Sequence, residues 1–342
     1  MRKYNIAVVG ATGMVGSKFL EVLTEKQLPV ENYYLFASAK SAGKVINFMG
    51  KDHTVIELTD ENINALKGKV DIALFSAGGK TSERFAPVFA SIGTVVIDNS
   101  AQWRMDPKVP LVVPEVNPQD ITWNNGIIAN PNCSTIQAMV LLKPLYDAFG
   151  LKRVVYSTYQ AVSGAGVAGY NDLLEGLKAF VNGEKYETKK FPYQIANNCL
   201  PHIDVFMDNG YTKEEMKMVN ETKKILGDDK IKVTATCVRV PVLNSHSESI
   251  NVEFNKPVTK EAILKVLENA PGLKIVDDVA NNVYPMPINS TGSDITLVGR
   301  IRIDDTVDSG ANFWVCADNI RKGAASNAVQ IAEYMINNNM IK

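Results

Sequence analysis

One cysteine stands in a setting where its sulfur could act as a nucleophile. The run ANPNCST, residues 129–135, places Cys133 after Pro131 and Asn132 and directly before a helical pattern. At the first turn of a helix the positive end of the dipole favours a thiolate over a thiol. Backbone N–H groups of that turn, together with the Asn132 amide, would hold an oxyanion. The run therefore predicts a cysteine nucleophile with an oxyanion site beside it.

The other cysteines give no such signal. Cys199, Cys237 and Cys316 are scattered along the chain without a CxxC pair, so neither a zinc site nor a disulfide framework is indicated. Burial as an inert side chain is the common fate of a cysteine, and we expect it for these three. We also expect no metal site, and a reducing cytoplasm as the compartment.

A thiolate nucleophile needs a base or a proton relay, and the chain offers three histidines. His53 lies in a surface-like loop, His202 in an irregular segment, and His246 in a polar stretch between two predicted strands. A lone histidine is more often structural than catalytic. His246 is favoured because Arg239 lies upstream on the same extended stretch, and the arginine fork suits carboxylates.

A glycine-rich run predicts a nucleotide-binding turn. GATGMVG, residues 10–16, follows the first predicted strand and opens a helix, so its backbone can approach a pyrophosphate at the helix N-terminus. Plain packing at a tight turn is the alternative for such glycines. A second run, SAGG at residues 76–79, follows a later strand and resembles another close-approach loop. The predicted cofactor contacts are Gly10, Thr12, Gly13, Met14, Val15, Ser76 and Gly78.

The next turn favours NADP over NAD. An NAD-binding domain carries an acidic residue about 20 residues after the glycines, where it holds the ribose 2′-hydroxyl. Here the strand ends in FASAKSAGK, residues 36–44, which contains no acid. Ser38, Lys40 and Ser41, with Lys44, suit a 2′-phosphate instead. A solvated loop is the ordinary fate of such lysines.

The pattern of predicted strands and helices differs between the first third of the chain and the remainder, so two kinds of domain must position these residues. The first third alternates strands (5–9, 33–37, 72–76, 94–98) with helices (13–25, 62–67, 81–91), which predicts a parallel sheet covered by helices. The remainder alternates longer strands (231–240, 247–254, 295–304) with helices (134–149, 170–181, 213–226, 260–269, 323–337), which predicts an α+β domain. We expect an α/β chain with a Rossmann-type domain at 1–130, a second domain at 131–322, and a final segment, 323–342, that returns to the first.

Composition excludes several classes of protein. The 342 residues are 46% hydrophobic and 21% charged, which is typical of a globular chain of two domains. With 36 basic and 37 acidic residues the net charge is −1, which gives no basic surface for nucleic acid or an anionic membrane. No apolar run approaches the length of a membrane span, and the N-terminus resembles a strand rather than a signal peptide.

Taken together, GATGMVG, PNCST, RVPVLNSHSE and the terminal DNIRKGAA (318–325) resemble the aspartate-semialdehyde dehydrogenase family along the whole chain. The resemblance implies a Rossmann domain plus a glyceraldehyde-3-phosphate-dehydrogenase-like domain that forms dimers or tetramers. It implies NADPH-dependent conversion of β-aspartyl phosphate to aspartate semialdehyde and inorganic phosphate, through a thioester, in the biosynthesis of lysine (with diaminopimelate), threonine and methionine.

The resemblance also implies roles for individual residues. Cys133 would carry the acyl group, His246 would be the general acid or base, and Arg239 would pair with the α-carboxylate of the substrate. Further contacts to substrate or phosphate are implied for Arg104, Gln160, Glu214 and Lys217, and further contacts to the cofactor for Ser163, Gly164 and Asn319.

Two alternatives remain at this point. N-acetyl-γ-glutamyl-phosphate reductase shares the architecture, but its nucleophile follows a glycine, which PNC at residues 131–133 does not match. A non-catalytic NADP-binding protein of the same fold is the second alternative. The retention of Cys133, His246, Arg239 and Arg104 argues against it.

Overall fold

The structure is a computed structural model that describes residues 2–341. Its strands are β1 (Tyr4–Val9), β2 (Val30–Ala37), β3 (Val45–Phe48), β4 (Lys51–Thr54), β5 (Ile56–Glu57), β6 (Ile72–Phe75), β7 (Val95–Asp98), β8 (Ile127–Ala129), β9 (Leu151–Gln160), β10 (Lys232–Arg239), β11 (His246–Phe254), β12 (Leu273–Ile275), β13 (Thr296–Asp304) and β14 (Gly310–Ala317). Its α-helices are α1 (Met14–Lys26), α2 (Asp60–Asn64), α3 (Gly79–Ser91), α4 (Cys133–Phe149), α5 (Gly166–Asn182), α6 (Lys213–Leu226), α7 (Lys260–Leu267), α8 (Pro287–Ser290) and α9 (Ser326–Asn337).

The chain divides into two compact units. One, here the nucleotide unit, runs to Asn132 and resumes at Ala324; the other, here the mixed-sheet unit, spans Cys133–Gly323. Short 3₁₀ turns and one π-helical turn, Arg321–Ala325, connect some of the elements. Within residues 2–341 no helix is both long enough and apolar enough to cross a membrane.

The nucleotide unit is built on a parallel sheet in the order β5-β2-β1-β6-β7-β8. Its central strands are continuous hydrophobic runs, as expected of strands covered on both faces. In β1 the side chains from Ile6 to Val9 are fully buried. Helix α9 adds Val329, Ile331 and Met335 to the same hydrophobic core, so the last helix belongs to this unit.

The mixed-sheet unit has the strand order β10-β9-β11-β14-β13-β12. β9 pairs in parallel with β10 and antiparallel with β11, and β14 is antiparallel to both of its neighbours. Helices α4, α6 and α7 pack on one face of this sheet. The two units therefore confirm the predicted fold class, a Rossmann-type domain with an α+β domain.

Capping explains where several helices begin. The Thr59 side chain accepts a hydrogen bond from the backbone N–H of Asn62, so α2 starts at Asp60, and the prediction of a helix at 62–67 was wrong in its placement. At the start of α6, Thr212 and Glu215 form a reciprocal capping box, and Gly227 ends α6 in a left-handed conformation. The predicted bounds of α6 are therefore confirmed.

Candidate active site

Cys133 is the first residue of α4, and its side chain is partly exposed. The helix begins where a strand-to-helix connection delivers the chain, so the sulfur lies at the positive end of the dipole. A Cβ added at Gly323 would lie 2.9 Å from the Cβ of Cys133, so the chain passes very close to the Cys133 side chain there. Only a residue without a side chain fits beside Cys133 at that point.

The other cysteines differ from Cys133. Cys237 and Cys316 are fully buried, and desolvation raises the pKa of both thiols, that of Cys316 to about 12. They are therefore neutral side chains of the core, as expected. Cys199 is exposed in an irregular segment, so the expectation that it is buried was wrong. The apolar pattern that buries the other two is missing around it.

His246 is the first residue of β11 and is completely buried, so its placement between two strands was wrong. Its Nδ1 accepts a hydrogen bond from the backbone N–H of Ala161 at 3.0 Å. Because Nδ1 is the acceptor, the neutral ring carries its proton on Nε2. Burial, and then the charge of Arg239, lower the pKa of His246 to about 3. The imidazole is therefore a neutral donor at Nε2.

The other two histidines lie elsewhere. His53 belongs to β4 in the small β3–β4 hairpin, where its ring meets Tyr33 and Phe48, so its assignment to a loop was wrong. His202 lies in an irregular segment, as expected, and stacks on Phe206 with ring centroids 4.3 Å apart. Both are packing residues.

Arg239 ends β10 with its side chain buried. One guanidinium nitrogen, Nη1, donates to the carbonyl of Ala161 at 2.6 Å, and Nε has no hydrogen-bond partner among residues 2–341. Desolvation lowers the pKa of Arg239, whereas the charge of Glu214 and that of the Cys133 sulfur act to raise it. A buried cation near Cys133, with unused donor capacity, is suited to an anionic ligand.

Gly164 makes the close approach of these groups possible. A Cβ at this position would lie 2.9 Å from Nη1 of Arg239 and 3.4 Å from Nε2 of His246. The backbone of residue 164 therefore borders both side chains at once, and any other residue would displace them. Gly164 is also predicted to contact the cofactor, and its closeness to Arg239 and His246 is a second constraint on this position.

A chain of polar side chains continues from His246. Nε2 of Gln160 lies 3.5 Å from Nε2 of His246 and donates to Glu214 at 3.1 Å. Glu214 also accepts from Lys217 at 3.0 Å, and Lys217 reaches Asp204 at 2.8 Å. Burial acts to lower the pKa of Lys217, but the charges of Glu214 and Asp204 outweigh it and raise the pKa overall. The result is a buried carboxylate with a charged lysine at its outer edge.

Ser163 and Asn319 form a second polar group, which contacts the residue before His246. The Ser163 hydroxyl and the Asn319 side chain are within 3.1–3.2 Å, and Oδ1 of Asn319 accepts from the backbone N–H of Ser245 at 2.9 Å. Ser245 has a left-handed backbone conformation, with φ at +71°, directly before His246. Asn319 therefore fixes the strained turn that delivers the histidine to the site.

In the nucleotide unit, three loops meet at the carboxyl ends of adjacent strands. A Cβ at Gly10, where φ is +88°, would lie 2.3 Å from the carbonyl oxygen of Ser76, so the loops after β1 and β6 touch. A Cβ at Gly16 would lie 2.0 Å from the Gly10 carbonyl. The glycines thus form a cradle that side chains would fill. Gly13 is the N-cap residue of α1 and makes no side-chain hydrogen bond to the helix, and Met14 and Val15 begin the first turn.

The turn after β2 lies beside this cradle. The hydroxyl of Thr12 donates to that of Ser41 at 3.4 Å, and Lys40 and Ser38 are exposed in the same turn. Gly78, with φ at +85°, precedes α3. The residues expected to contact cofactor in this unit therefore lie together on three neighbouring loops, and the cradle fits a dinucleotide.

Arg104 and Asn132 are also buried in the nucleotide unit. Arg104 donates from Nε to the carbonyl of Asn130 at 2.9 Å and from Nη2 to that of Asn99 at 2.8 Å. Asn132 directly precedes α4. Arg104 thus ties a loop to the segment that leads into α4.

Several residues that matter to this geometry could not be recognised from the sequence. Ala161 holds both His246 and Arg239 through its backbone, and Gly323 lies against Cys133. A backbone donor has no signature in a sequence, although Gly323 lies inside the DNIRKGAA run. Among residues 2–341 no group of three or more His, Cys, Asp or Glu side chains could hold a metal ion.

Comparison with known proteins agrees with the predicted family and with the division into two units. Residues 5–123 match the model of the semialdehyde dehydrogenase NAD binding domain, and residues 142–322 match that of the semialdehyde dehydrogenase dimerisation domain. The chain is 58% identical over 341 residues to an aspartate-semialdehyde dehydrogenase of Aquifex aeolicus, covering 99% of both chains. This chain belongs to the aspartate-semialdehyde dehydrogenase family. The expected family and fold are confirmed, and the chain is an oxidoreductase by that membership.

Solved members of the aspartate-semialdehyde dehydrogenase family share the fold. Aspartate semialdehyde dehydrogenase II of Vibrio cholerae, solved with ASA bound, superimposes with a TM-score of 0.93 at 48% identity, covering 98% of this chain and 99% of that one. The family member from Candida albicans, solved with NADP, has a TM-score of 0.77 at 26% identity and covers 99% and 100%.

Proposed function

We propose that this protein catalyses the NADPH-dependent reductive dephosphorylation of β-aspartyl phosphate to aspartate semialdehyde. The observation that carries the proposal is the cluster in the mixed-sheet unit. A partly exposed cysteine begins a helix, and its sulfur interacts with a buried arginine that borders a neutral histidine. The relative from Vibrio cholerae, which was solved with ASA, supports the substrate.

The first step is acyl transfer to Cys133. Its sulfur attacks the acyl phosphate carbon, the carbon–oxygen bond to phosphate breaks, and the thiol proton leaves with phosphate as the hydrogen phosphate dianion. The helix N-terminus stabilises the sulfur as an anion during the attack. The Asn132 amide and the backbone N–H groups of the first turn of α4 are the donors for the tetrahedral oxyanion. Arg104 and Lys217 are the cations assigned to the phosphate.

The second step releases the aldehyde. NADPH, when bound, supplies a hydride to the thioester carbon. The resulting alkoxide collapses, expels the Cys133 thiolate, and the thiolate takes a proton from solvent. His246 donates a hydrogen bond from Nε2 to the developing charge, and its lowered pKa keeps the ring in this donor form. In this step His246 therefore acts as a hydrogen-bond donor and not as the general acid or base that the resemblance implies.

The amino-acid end of the substrate is held by the polar chain described above. Arg239, with a planar fork and an unused Nε, takes the α-carboxylate. The buried carboxylate of Glu214, oriented by Gln160 and Lys217, takes the α-ammonium group. A zwitterionic substrate thereby meets one partner for each of its charges.

The nucleotide unit is proposed to bind NADP in preference to NAD. Gly10, Thr12, Gly13, Met14 and Val15 would hold the pyrophosphate on the α1 N-terminus. Ser38, Lys40 and Ser41 would hold the 2′-phosphate, and Ser76 and Gly78 would line the adjacent loop. In the mixed-sheet unit, Ser163, Gly164 and Asn319 are proposed to lie beside the nicotinamide.

A homodimer is the proposed assembly, with a tetramer as the alternative. One face of the mixed sheet is covered by α4, α6 and α7. On strands of that sheet Tyr159 and Trp314 make ring contact at 5.3 Å, and Tyr159 is 40% exposed. This aromatic pair suits the contact of a second copy. The cytoplasm remains the proposed compartment, since all four cysteines are free.

The decisive assay follows the reverse reaction, the oxidation of aspartate semialdehyde to β-aspartyl phosphate. Purified protein should reduce NADP when given aspartate semialdehyde and phosphate, followed at the nicotinamide absorbance. Omission of phosphate should abolish steady turnover, because the thioester then has no acceptor. Activity on N-acetyl-glutamate semialdehyde in place of aspartate semialdehyde would instead assign the chain to the related reductase. Binding of NADP without turnover of either aldehyde would indicate a non-catalytic protein.

A further inference from the structure

A buried aspartate outside the reacting groups holds three consecutive backbone amides. Asp172 of α5 is 1% exposed. Its Oδ2 accepts from the backbone N–H groups of Lys189, Lys190 and Phe191 at 3.2, 2.7 and 3.1 Å, and its Oδ1 accepts from Lys189 N–H at 3.0 Å and from the Tyr186 hydroxyl at 2.9 Å. Burial acts to raise the pKa of Asp172, but these bonds outweigh it and lower the pKa overall. The carboxylate is therefore ionised and fastens residues 189–191.

The fastened segment places one aromatic ring against the substrate-binding arginine. The Cζ of Arg239 lies 5.9 Å from the centroid of the Phe191 ring. The ring also packs on the small hydrophobic cluster that contains Val162 and Leu173. Its Cζ is 3.0 Å from the point that a Cβ at Gly169 would occupy, so the glycine leaves the space that the ring fills.

The same segment is tied to Arg239 a second time, further along the chain. Leu200 and Arg239 exchange both backbone hydrogen bonds, at 2.9 and 2.8 Å. Residues 189–200 are thus anchored at one end by Asp172 and at the other by the backbone of Arg239 itself. A segment fixed at both ends can hold Phe191 in one position over the guanidinium.

We propose that Asp172 is a positioning residue for substrate binding, acting on Arg239 through Phe191. An aromatic face attracts a cation and shields one side of the guanidinium plane from water. The edge of the fork then remains the direction in which a carboxylate can approach. The ligand class is a small molecule with an α-carboxylate, and this part of the proposal rests on the proposed function.

The test compares Asp172→Asn with Phe191→Ala. The asparagine side chain keeps one acceptor oxygen, loses the negative charge that strengthens these bonds, and turns an NH₂ group towards at least one of the groups that donate to Asp172, which weakens the hold on the segment. We expect each variant to raise KM for aspartate semialdehyde about tenfold, or about 1.4 kcal/mol. We expect kcat to stay within about twofold and KM for NADP to be unchanged. The double variant should be no worse than Phe191→Ala alone, because both changes act on one contact.

Glu175→Gln is the matched control. Glu175 lies on the same helix and contacts Tyr186 and the Lys189 side chain, but it makes no bond to the backbone of residues 189–191. Its KM for aspartate semialdehyde should be that of the wild type. An equal rise in KM in the control, or additive effects in the double variant, would overturn the proposal.

Hydrogen exchange separates this proposal from the proposed function. In the wild type the amides of residues 189–191 should exchange slowly, and in Asp172→Asn they should exchange at least about tenfold faster, while amides of α4 are unchanged. Slow exchange in the variant refutes the anchoring whatever the enzyme does. Faster exchange in the variant with KM unaltered, where the wild type turns over aspartate semialdehyde, refutes the action on Arg239. Failure of the wild type to use that aldehyde refutes the proposed function alone.

Discussion

Nδ1 of His246 accepts a hydrogen bond from the backbone N–H of Ala161, and the carbonyl of the same Ala161 accepts from Arg239. A single peptide position thus orients both the imidazole and the guanidinium. A protonated ring would bring an Nδ1–H group against the Ala161 N–H, and the neighbouring cation adds to that cost. The arrangement therefore favours a neutral imidazole, in agreement with its pKa of about 3.

The first prediction concerns the pH dependence of His246. Because the folded pKa is lowered to about 3, the ring should stay neutral from about pH 5 to about pH 9, and no histidine should titrate in the kcat profile. In the unfolded chain the ring binds a proton below about pH 6.5, so it makes the folded state less stable as pH falls from about 6.5 towards about 3.

Nitrogen NMR of the histidine rings checks this directly. The His246 signals should show the Nε2–H tautomer and no titration between about pH 5 and about pH 9. His246→Ala should lower kcat by about 10²–10³-fold, because a donor to the developing charge is removed. A His246 midpoint near about 6.5 would contradict the prediction.

The second prediction concerns the nucleophile. Cys133→Ala should lower turnover at least about a thousandfold, since no other described thiol is both partly exposed and at a helix start. NADP binding, followed by fluorescence titration, should be unchanged. Cys199→Ala is the control, because it removes an exposed thiol without touching α4 and should leave turnover intact. Substantial residual turnover in Cys133→Ala would remove this residue from the mechanism.

The third prediction concerns the carboxylate fork. Arg239→Lys should raise KM for aspartate semialdehyde about 30-fold, or about 2 kcal/mol, because lysine keeps the charge but loses the planar bidentate geometry. The bond to the Ala161 carbonyl would also be weakened, so kcat should fall as well. KM for NADP is the internal control, and an equal change in both Michaelis constants would contradict the carboxylate assignment.

The architecture was largely predictable because hydrophobic runs mark the buried strands and helices, and turn residues mark their ends. β1, α1 and α6 follow from a buried apolar strand, a glycine turn and a capping box. β9 was missed although Val154, Tyr156, Thr158 and Gln160 alternate on its buried face, because the strand begins directly after α4 in a charged stretch. The strand β14 was missed because six of its eight residues are buried, which hides the period of two.

The parts of the site that are formed by side chains in short motifs were predictable, and the parts that are formed by backbone atoms were not. Cys133 and Arg239 are visible in short motifs of the sequence. The contacts of Ala161 are made by main-chain atoms, and those of Asp172 are made to amides 17–19 residues away, so no local pattern marks them. Glu248 is an acidic residue in a strand, which ordinarily indicates an exposed position, yet it is completely buried.

The fourth prediction concerns cofactor choice. If Lys40 holds the 2′-phosphate, Lys40→Ala should raise KM for NADP about tenfold, because a charge-assisted hydrogen bond is lost, and should leave KM for NAD unchanged. Lys51→Ala, which removes an exposed lysine from β4 in the same unit, is the control. Equal effects on the two nucleotides would contradict the assignment of Lys40 to the 2′-phosphate.

The last prediction concerns Glu248, whose carboxyl lies on β11 beneath the start of α4. Burial raises its pKa well above the ordinary value, and the polar side chains of Gln137 and Ser134 nearby offset this only in part. The folded state therefore holds a proton that the unfolded chain loses above about pH 4.5. Stability contributed by this group is present below that pH and is lost as pH rises towards the folded pKa.

Glu248→Gln replaces the carboxyl by a group of the same shape that cannot ionise. Relative to wild type, the variant should gain stability as pH rises above about 4.5, by up to about 1.4 kcal/mol for each pH unit in that window. Urea unfolding at several pH values measures the difference, and Glu253→Gln on the partly exposed face of β11 is the control. A pH-independent difference would show that Glu248 is ionised in the folded protein, which would place an uncompensated negative charge under the helix that carries Cys133.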